Sequence, residues 1–224
     1  MEGNSDMHHA PQRTVLVTGA SRGVGAQVAQ RLAAPDTHVV VNYRENAARA
    51  EAVAAAIRHA GGHASTVRAD IADEAQCAQL MDTIAARFGR LDTLILNASV
   101  NVELGAHPGY AMRRNRDAQR RLALRALPLM PAGGHIVFVT SHQAHFFPHK
   151  AVPKGHTAVA ASKQAGEATL RALRPEFHRA GVHFTVVSGD AADPTFPGAI
   201  VMAANAPNPS SVVCVGGSDF RLSA

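Results

Sequence analysis

The stretch Thr18-Gly19-Ala20-Ser21-Arg22-Gly23-Val24-Gly25 constrains this chain more than any other. It follows the apolar run Thr14-Val15-Leu16-Val17 and precedes a segment of helical character at 26–34. A strand, a glycine turn and a helix start therefore follow one another. A helix start presents unpaired N–H groups and the positive end of the dipole, so it attracts phosphate. Glycines let the backbone turn sharply and approach a diphosphate with no Cβ in the way. The strand–turn–helix setting separates this loop from an ordinary glycine turn.

Strand-like runs recur at 14–18, 38–42, 64–69, 93–97, 135–140, 182–188 and 212–215. Most are continuous and β-branched, as befits strands buried on both faces. Alanine-rich helical segments lie between them, at 25–34, 47–60, 73–88 and 110–129, with a long one ending near Arg179. This alternation predicts an α/β fold: one doubly wound domain over 13–224, with a parallel sheet of about seven strands and helices on both faces. Ligand is then expected at the C-terminal strand edge, where the strand order reverses. The segment 190–210 carries Pro194, Pro197, Pro207 and Pro209, and only 198–205 could be helical. A loose, mobile excursion is expected there.

The chain has 224 residues, 46% of them hydrophobic and 17% charged, the makeup of an ordinary globular domain. No apolar run is long enough to span a bilayer, so no membrane partner is expected. Residues 1–12 are polar, without a signal-peptide core, and are expected to form a disordered tail. Two cysteines, Cys77 and Cys214, lack metal-like spacing, and a reducing cytoplasm is the simplest setting. The net charge of +5 raises nucleic acid as a partner, and Arg113, Arg114, Arg116, Arg120, Arg121 and Arg125 cluster on one segment. Leucines interleave with them and no stacking aromatics do, so a solvated helix flank is expected and no nucleic acid.

The glycine turn resembles the Thr-Gly-x-x-x-Gly-x-Gly pattern of the short-chain dehydrogenase/reductase family, through Thr18, Gly19, Gly23 and Gly25. Further matches follow in order. Asp70 resembles the family's adenine-contacting Asp, and Asn97-Ala98-Ser99 its Asn-Ala-Gly. Asn115, Ser141 and Lys163 resemble its catalytic Asn, Ser and Lys. Ser188-Gly189 resembles its Pro-Gly turn, Thr195 its carboxamide-contacting Thr, and Gly216-Gly217 its last-strand motif. The resemblance implies a Rossmann-like fold and a nicotinamide cofactor. Cofactor contacts are expected from Thr18, Gly19, Ser21, Arg22, Gly23, Val24 and Gly25, from Asn42, Tyr43 and Arg44, from Asp70 and Ile71, and from Asn97, Ala98, Ser99, Lys163, Gly189 and Thr195. NADP(H) is expected over NAD(H). The end of the second strand, Asn42-Tyr43-Arg44, has no acid to accept from a ribose 2′-OH, and Arg22 and Arg44 could reach a 2′-phosphate or face solvent.

One departure bears directly on the chemistry. The family's active-site motif is Tyr-x-x-x-Lys, and here Val159 stands four residues before Lys163. The run Val139–Phe146 resembles a bacterial subgroup with Val at that position and a Tyr one turn upstream, where this chain has His156. His156 is therefore a candidate donor, since histidine titrates near neutrality and its spacing could put it on the face of Val159 and Lys163. An exposed residue ahead of the helix is the plainer alternative. His142 and His145 have no third ligand in evidence, so no metal is expected. Two function classes remain. One is an oxidoreductase on a small carbonyl or alcohol with water, His156 or the substrate as donor. The other is a nucleotide-binding pseudoenzyme acting as sensor or subunit. A homodimer through the helices of Asn115 and Lys163 stays open, weakened by the arginines.

Overall fold

A computed structural model of the protein describes residues 12–99, 108–153 and 155–216. The expected tail at 1–12 lies, apart from Gln12, outside the described residues, and so does Gly217. The seven strands are β1 (Arg13–Val17), β2 (Thr37–Tyr43), β3 (His63–Arg68), β4 (Thr93–Leu96), β5 (His135–Ser141), β6 (His183–Gly189) and β7 (Val212–Cys214). They form one parallel sheet in the order β3-β2-β1-β4-β5-β6-β7. The order reverses between β1 and β4, and a crevice opens beyond the C-terminal ends of these strands. The helices are α1 (Gly23–Arg31), α2 (Ala47–His59), α3 (Glu74–Phe88), α4 (Pro108–Met112), α5 (Ala118–Ala126), α6 (His142–His145), α7 (Thr157–Ala172), α8 (Arg174–Arg179) and α9 (Phe196–Asn205).

Successive strand residues point to opposite faces, so one run of valines feeds two cores. Val15, Val17, Val39, Val41 and Ile95 pack with α1, α2 and α9. Leu16, Val40, Leu94, Leu96 and Ile136 pack with α3, α5, α7 and α8. This three-layer arrangement explains why the strands read as continuous apolar runs rather than alternating ones.

Three expectations need correction. The segment 190–210 is no loose excursion: its proline-bounded middle is α9, whose Phe196, Pro197, Ile200, Ala203 and Ala204 are buried. Pro197 sits in the first turn, where a missing N–H costs nothing, so proline there starts a helix rather than breaking one. The helix expected to end near Arg179 is two, α7 and α8, divided at Leu173 just ahead of Pro175. The helix expected over 110–129 is interrupted by a π-helical turn, Arg113–Asp117. There the chain touches α7 so closely that a Cβ on Gly166 would fall on the Asn115 carbonyl oxygen. The π turn pushes that carbonyl outward, and only a glycine on the facing helix admits it.

Two histidines at the far end of the sheet are held uncharged. His135 Nε2 lies 2.9 Å from Thr185 Oγ1, and the Thr185 hydroxyl lies within hydrogen-bond reach of the Ser210 carbonyl. Burial, then His183, pushes its pKa down to about 4. Burial, then His63 and Arg87, does the same to His38. An unfolded histidine titrates near 6.5. Between about pH 4 and 6.5 the unfolded chain therefore binds more protons than the native one, and stability falls as pH falls through that window. His135 contributes up to about 1.4 kcal/mol per pH unit to that slope.

Thermal melts from pH 7.5 to 4.5 should show a falling Tm, and His135→Gln should flatten part of the decline. An unchanged slope in the variant would remove His135 from the account. At the helix contact, Gly166→Ala should cost about 1–3 kcal/mol or more in urea denaturation, and a neutral result would mean α7 is free to shift away from Asn115.

Candidate active site

The crevice begins at the ends of β1 and β4. Thr18 Oγ1 donates to the Ile95 carbonyl at 3.1 Å and accepts the N–H groups of Asn97 and Ala98 at 3.0 Å each. Asn97 Nδ2 donates back to the Thr18 and Gly19 carbonyls. Asn42, expected to touch cofactor, is instead buried and braces the turn. Its Oδ1 accepts from Gly19 N–H, and its Nδ2 donates to the Val67 and Ala69 carbonyls. A Cβ on Gly25 would collide with the Asn97 amide and come within 2.7 Å of the Gly19 carbonyl. Gly19 and Gly23 take φ of 63° and 58°, in the left-handed region.

α2 and α3 are capped by the side chains of Asn46 and Asp73, whereas no side chain caps α1. α7, α8 and α9 lack a side-chain cap as well, but α1 begins at the glycine turn, where a diphosphate would suit its first-turn N–H groups in charge and shape. A cavity of about 990 Å³ opens over them. Gly19, Ser21, Arg22, Gly23, Val24 and Gly25 line it on this side, with Tyr43, Arg44, Asn97, Ala98 and Ser99.

Farther along the sheet the same cavity is lined by Ser141 at the end of β5, by Lys163 on α7 and by Gly189 at the end of β6. Ser141 Oγ accepts from Ala144 N–H at 3.4 Å and so starts α6 while its hydroxyl proton stays available. Lys163 is half-buried, and burial pushes its pKa down. No described residue offers a hydrogen bond or ion pair to its ammonium, so a bound hydroxyl or phosphate oxygen would relieve that cost. The Phe196 ring, at the start of α9, lies against Gly189 and forms part of the same wall.

Several expected site residues face elsewhere. Asn115, 1% exposed on the π turn, donates through Nδ2 to Ser162 Oγ at 2.9 Å, and Ser162 donates to the Val159 carbonyl. It joins the π turn to α7 just before Lys163, rather than lining the cavity. His156 occupies the N-cap of α7 without a side-chain cap bond and is also outside the lining. Thr195 donates to Asp193 Oδ1 at 2.6 Å, and Ile71 is in the core. Thr18 acts from beneath the turn. Asp70 lies behind the wall, with Ala72 N–H on its Oδ1 and Arg44 and Arg114 nearby. His142 meets Ser188 Oγ and donates to the Val215 carbonyl, each at 2.9 Å, and His145 Nδ1 lies 2.8 Å from Glu167 Oε2. Both histidines fasten α6 to its neighbours.

The arginine-rich segment is not wholly a solvated flank. Arg114 is 9% exposed and lines the cavity, as does Tyr110. Arg44 and Arg114 both donate to the Tyr110 hydroxyl, at 2.6 and 2.8 Å. Their guanidinium groups stand 3.9 and 3.8 Å from Asp70. The sequence signal was present in the i, i+4 spacing of Tyr110 and Arg114; only the fold shows which way that face points. Among the described residues no three His, Cys, Asp or Glu side chains gather as metal ligands. No described helix is long and apolar enough to cross a membrane.

The chain is similar to known proteins in sequence and in fold. The profile of the short chain dehydrogenase family matches residues 13–196. The 1-cyclohexenylcarbonyl-CoA reductase of Streptomyces collinus is 35% identical over 187 residues, which cover 80% of this chain and 64% of that protein. The chain thus spans less than two-thirds of the length of that relative. A metagenomic short-chain oxidoreductase solved with NADP is 26% identical with a TM-score of 0.78, covering 92% of this chain and 97% of its own. The reductase LugOII, which catalyses keto-reduction at C1 in lugdunomycin biosynthesis, is also 26% identical with a TM-score of 0.78, over 96% of this chain and 99% of its own. With the profile match spanning most of its length, this chain belongs to the short-chain dehydrogenase/reductase family.

Proposed function

We propose that the protein is an NADP(H)-dependent oxidoreductase that interconverts a carbonyl and an alcohol on a small molecule, with a proton donor other than a tyrosine at position 159. The observation that carries this reading is the single cavity shared by the uncapped start of α1, Ser141 and the unpaired ammonium of Lys163. β2 and β5 lie three strand spacings apart, roughly 14 Å at the usual separation. An extended dinucleotide can therefore place adenosine beside Tyr43 and Arg44, its diphosphate on the glycine turn and its nicotinamide beside Ser141 and Gly189. When bound, the reduced nicotinamide supplies hydride.

The chain's own groups do the rest. Lys163 donates to the nicotinamide ribose and stabilises developing negative charge through its ammonium. Ser141 donates to the substrate oxygen. Asn115 acts through Ser162 to hold the start of α7 in register, which makes it a positioning residue. Val159 cannot donate a proton, so the proton comes from water, from the substrate itself or from His156, whose N-cap position must then move toward the cavity. The solved relative with NADP and the relatives named as reductases support turnover. Val159 is the observation that favours a pseudoenzyme keeping the cofactor site alone.

Calorimetric titration should show NADPH binding at least about tenfold tighter than NADH, the worth of one charge-assisted hydrogen bond; equal affinities would overturn the cofactor assignment. Lys163→Ala should weaken NADPH binding and slow turnover together, while Ser141→Ala should slow turnover and leave NADPH affinity within about twofold. If both variants leave an established activity intact, the site is wrong. General acid catalysis is typically worth ~10²–10⁴-fold, so Val159→Tyr should raise reduction of an activated ketone by a measurable part of that range. His156→Ala should flatten a limb of the pH–rate profile near neutrality if His156 is the donor, and leave it unchanged if water is. Tight NADPH binding without turnover, even in Val159→Tyr, would establish the pseudoenzyme.

A further inference from the structure

Arg114 stands one residue before Asn115, on the π turn, and reaches into the cavity from the helical layer opposite β2. Its Nη1 donates to Tyr110 Oη at 2.8 Å, and its Cζ lies 5.7 Å from the Tyr110 ring centre. Its Nε is buried with no hydrogen-bond partner. A buried guanidinium N–H without an acceptor is costly, and the fold bears that cost to hold the Arg114 head group at the cavity wall. Arg44 donates to the same hydroxyl from the end of β2. With two N–H donors on its oxygen, Tyr110 has used both lone pairs and keeps its own proton to give.

The charge around this cluster is unbalanced. Asp70 lies 3.8–3.9 Å from both guanidinium groups, and Glu45 pairs with Arg44 at the exposed rim. Arg22, Arg44, Arg49 and Arg114 line this end of the cavity against Glu45, with Asp70 behind the wall. Three donor groups and an excess positive charge converge on the adenosine end of the cavity.

We propose that Arg114, positioned by Tyr110, is a specificity-determining residue that joins Arg44 in binding a phosphate carried on the adenosine ribose. This rests on the nucleotide-binding reading above and extends it to a residue from the opposite layer. The cavity wall then holds the extra phosphate between two elements, β2 and the π turn, instead of at the β2 edge alone. Arginine suits the task because its planar fork bonds phosphate oxygens in pairs.

The test uses 2′,5′-ADP and 5′-AMP, which differ only in the 2′-phosphate and need neither nicotinamide nor turnover. The full chain should bind 2′,5′-ADP more tightly, with an affinity that falls as salt rises. Arg114→Leu should weaken 2′,5′-ADP by at least about tenfold, the worth of one charge-assisted bond, and leave 5′-AMP within about twofold. Tyr110→Phe should weaken 2′,5′-ADP in the same direction by less, and Arg114→Lys should restore part of the loss. Circular dichroism melts identify a variant that has lost its fold, in which case Tyr110→Phe and Arg114→Lys carry the comparison. If Arg114→Leu weakens both nucleotides equally, or neither, the assignment of Arg114 is overturned while the cofactor site stands. If the unaltered chain binds neither nucleotide, the nucleotide-binding reading fails and takes this one with it.

Discussion

The hydrogen bonds between Thr18 and Asn97 are the constraint on which the site depends. They tie the C-terminal ends of β1 and β4 together at the point where the strand order reverses. Parallel strands cannot be joined by a tight turn, so nothing in local chain geometry holds these two ends in register. A buried hydroxyl that both donates and accepts, answered by an amide that donates back, does so. The glycine turn is built on that joint: Gly25 packs where a side chain would displace the Asn97 amide. Asn42 supports the same turn from the β2 side. The uncapped start of α1 is therefore held open by three polar side chains, none of which needs to touch a ligand.

The second half of the site depends on a different contact. Lys163 reaches the cavity because α7 packs against the π turn, and that packing runs through Gly166, Ser162 and Asn115. A π turn is an irregular stretch within a helix, tolerated where the surrounding structure holds it. Here it does two things at once. It turns Asn115 toward α7 and Arg114 toward the cavity, so that neighbouring residues serve opposite layers.

His142 and His145 illustrate how polar residues near an active site can be structural. Each makes short hydrogen bonds to groups of another element, and neither lines the cavity. Thr195 and Asn42 belong to the same class. All four had residue types suited to ligand contact. For His142, His145 and Asn42 the side chains are occupied because a donor or acceptor withdrawn from water and left unpaired costs more than the bond itself gains, whereas the Thr195 bond to Asp193 is made at the surface.

The sequence by itself determined the layer order, the seven strands, the glycine turn and the family, because each rests on local periodicity or on contiguous residues. Continuous β-branched runs alternating with helical segments suit strands covered on both sides, and Thr18 to Gly25 needs no distant partner to be recognised. Ser141 and Lys163 were legible through the family resemblance, Ser141 at the end of a strongly patterned strand and Lys163 within the run Ala161-Ser162-Lys163. Tertiary structure decided what periodicity does not carry. The prolines around α9 read as loop signals until the burial of Phe196 and Ile200 showed a docked helix, a case of packing overriding local propensity. The π turn has no sequence signature, and the residue that admits it, Gly166, lies some fifty residues away along the chain. Arg114 read as part of a solvated flank because leucines interleave with the arginines and no stacking aromatics do, and only the fold turns that one side chain inward to Tyr110 and Asp70. The direction of a side chain is a property of the contacts made by the whole helix, and those contacts exist only once the layers have closed.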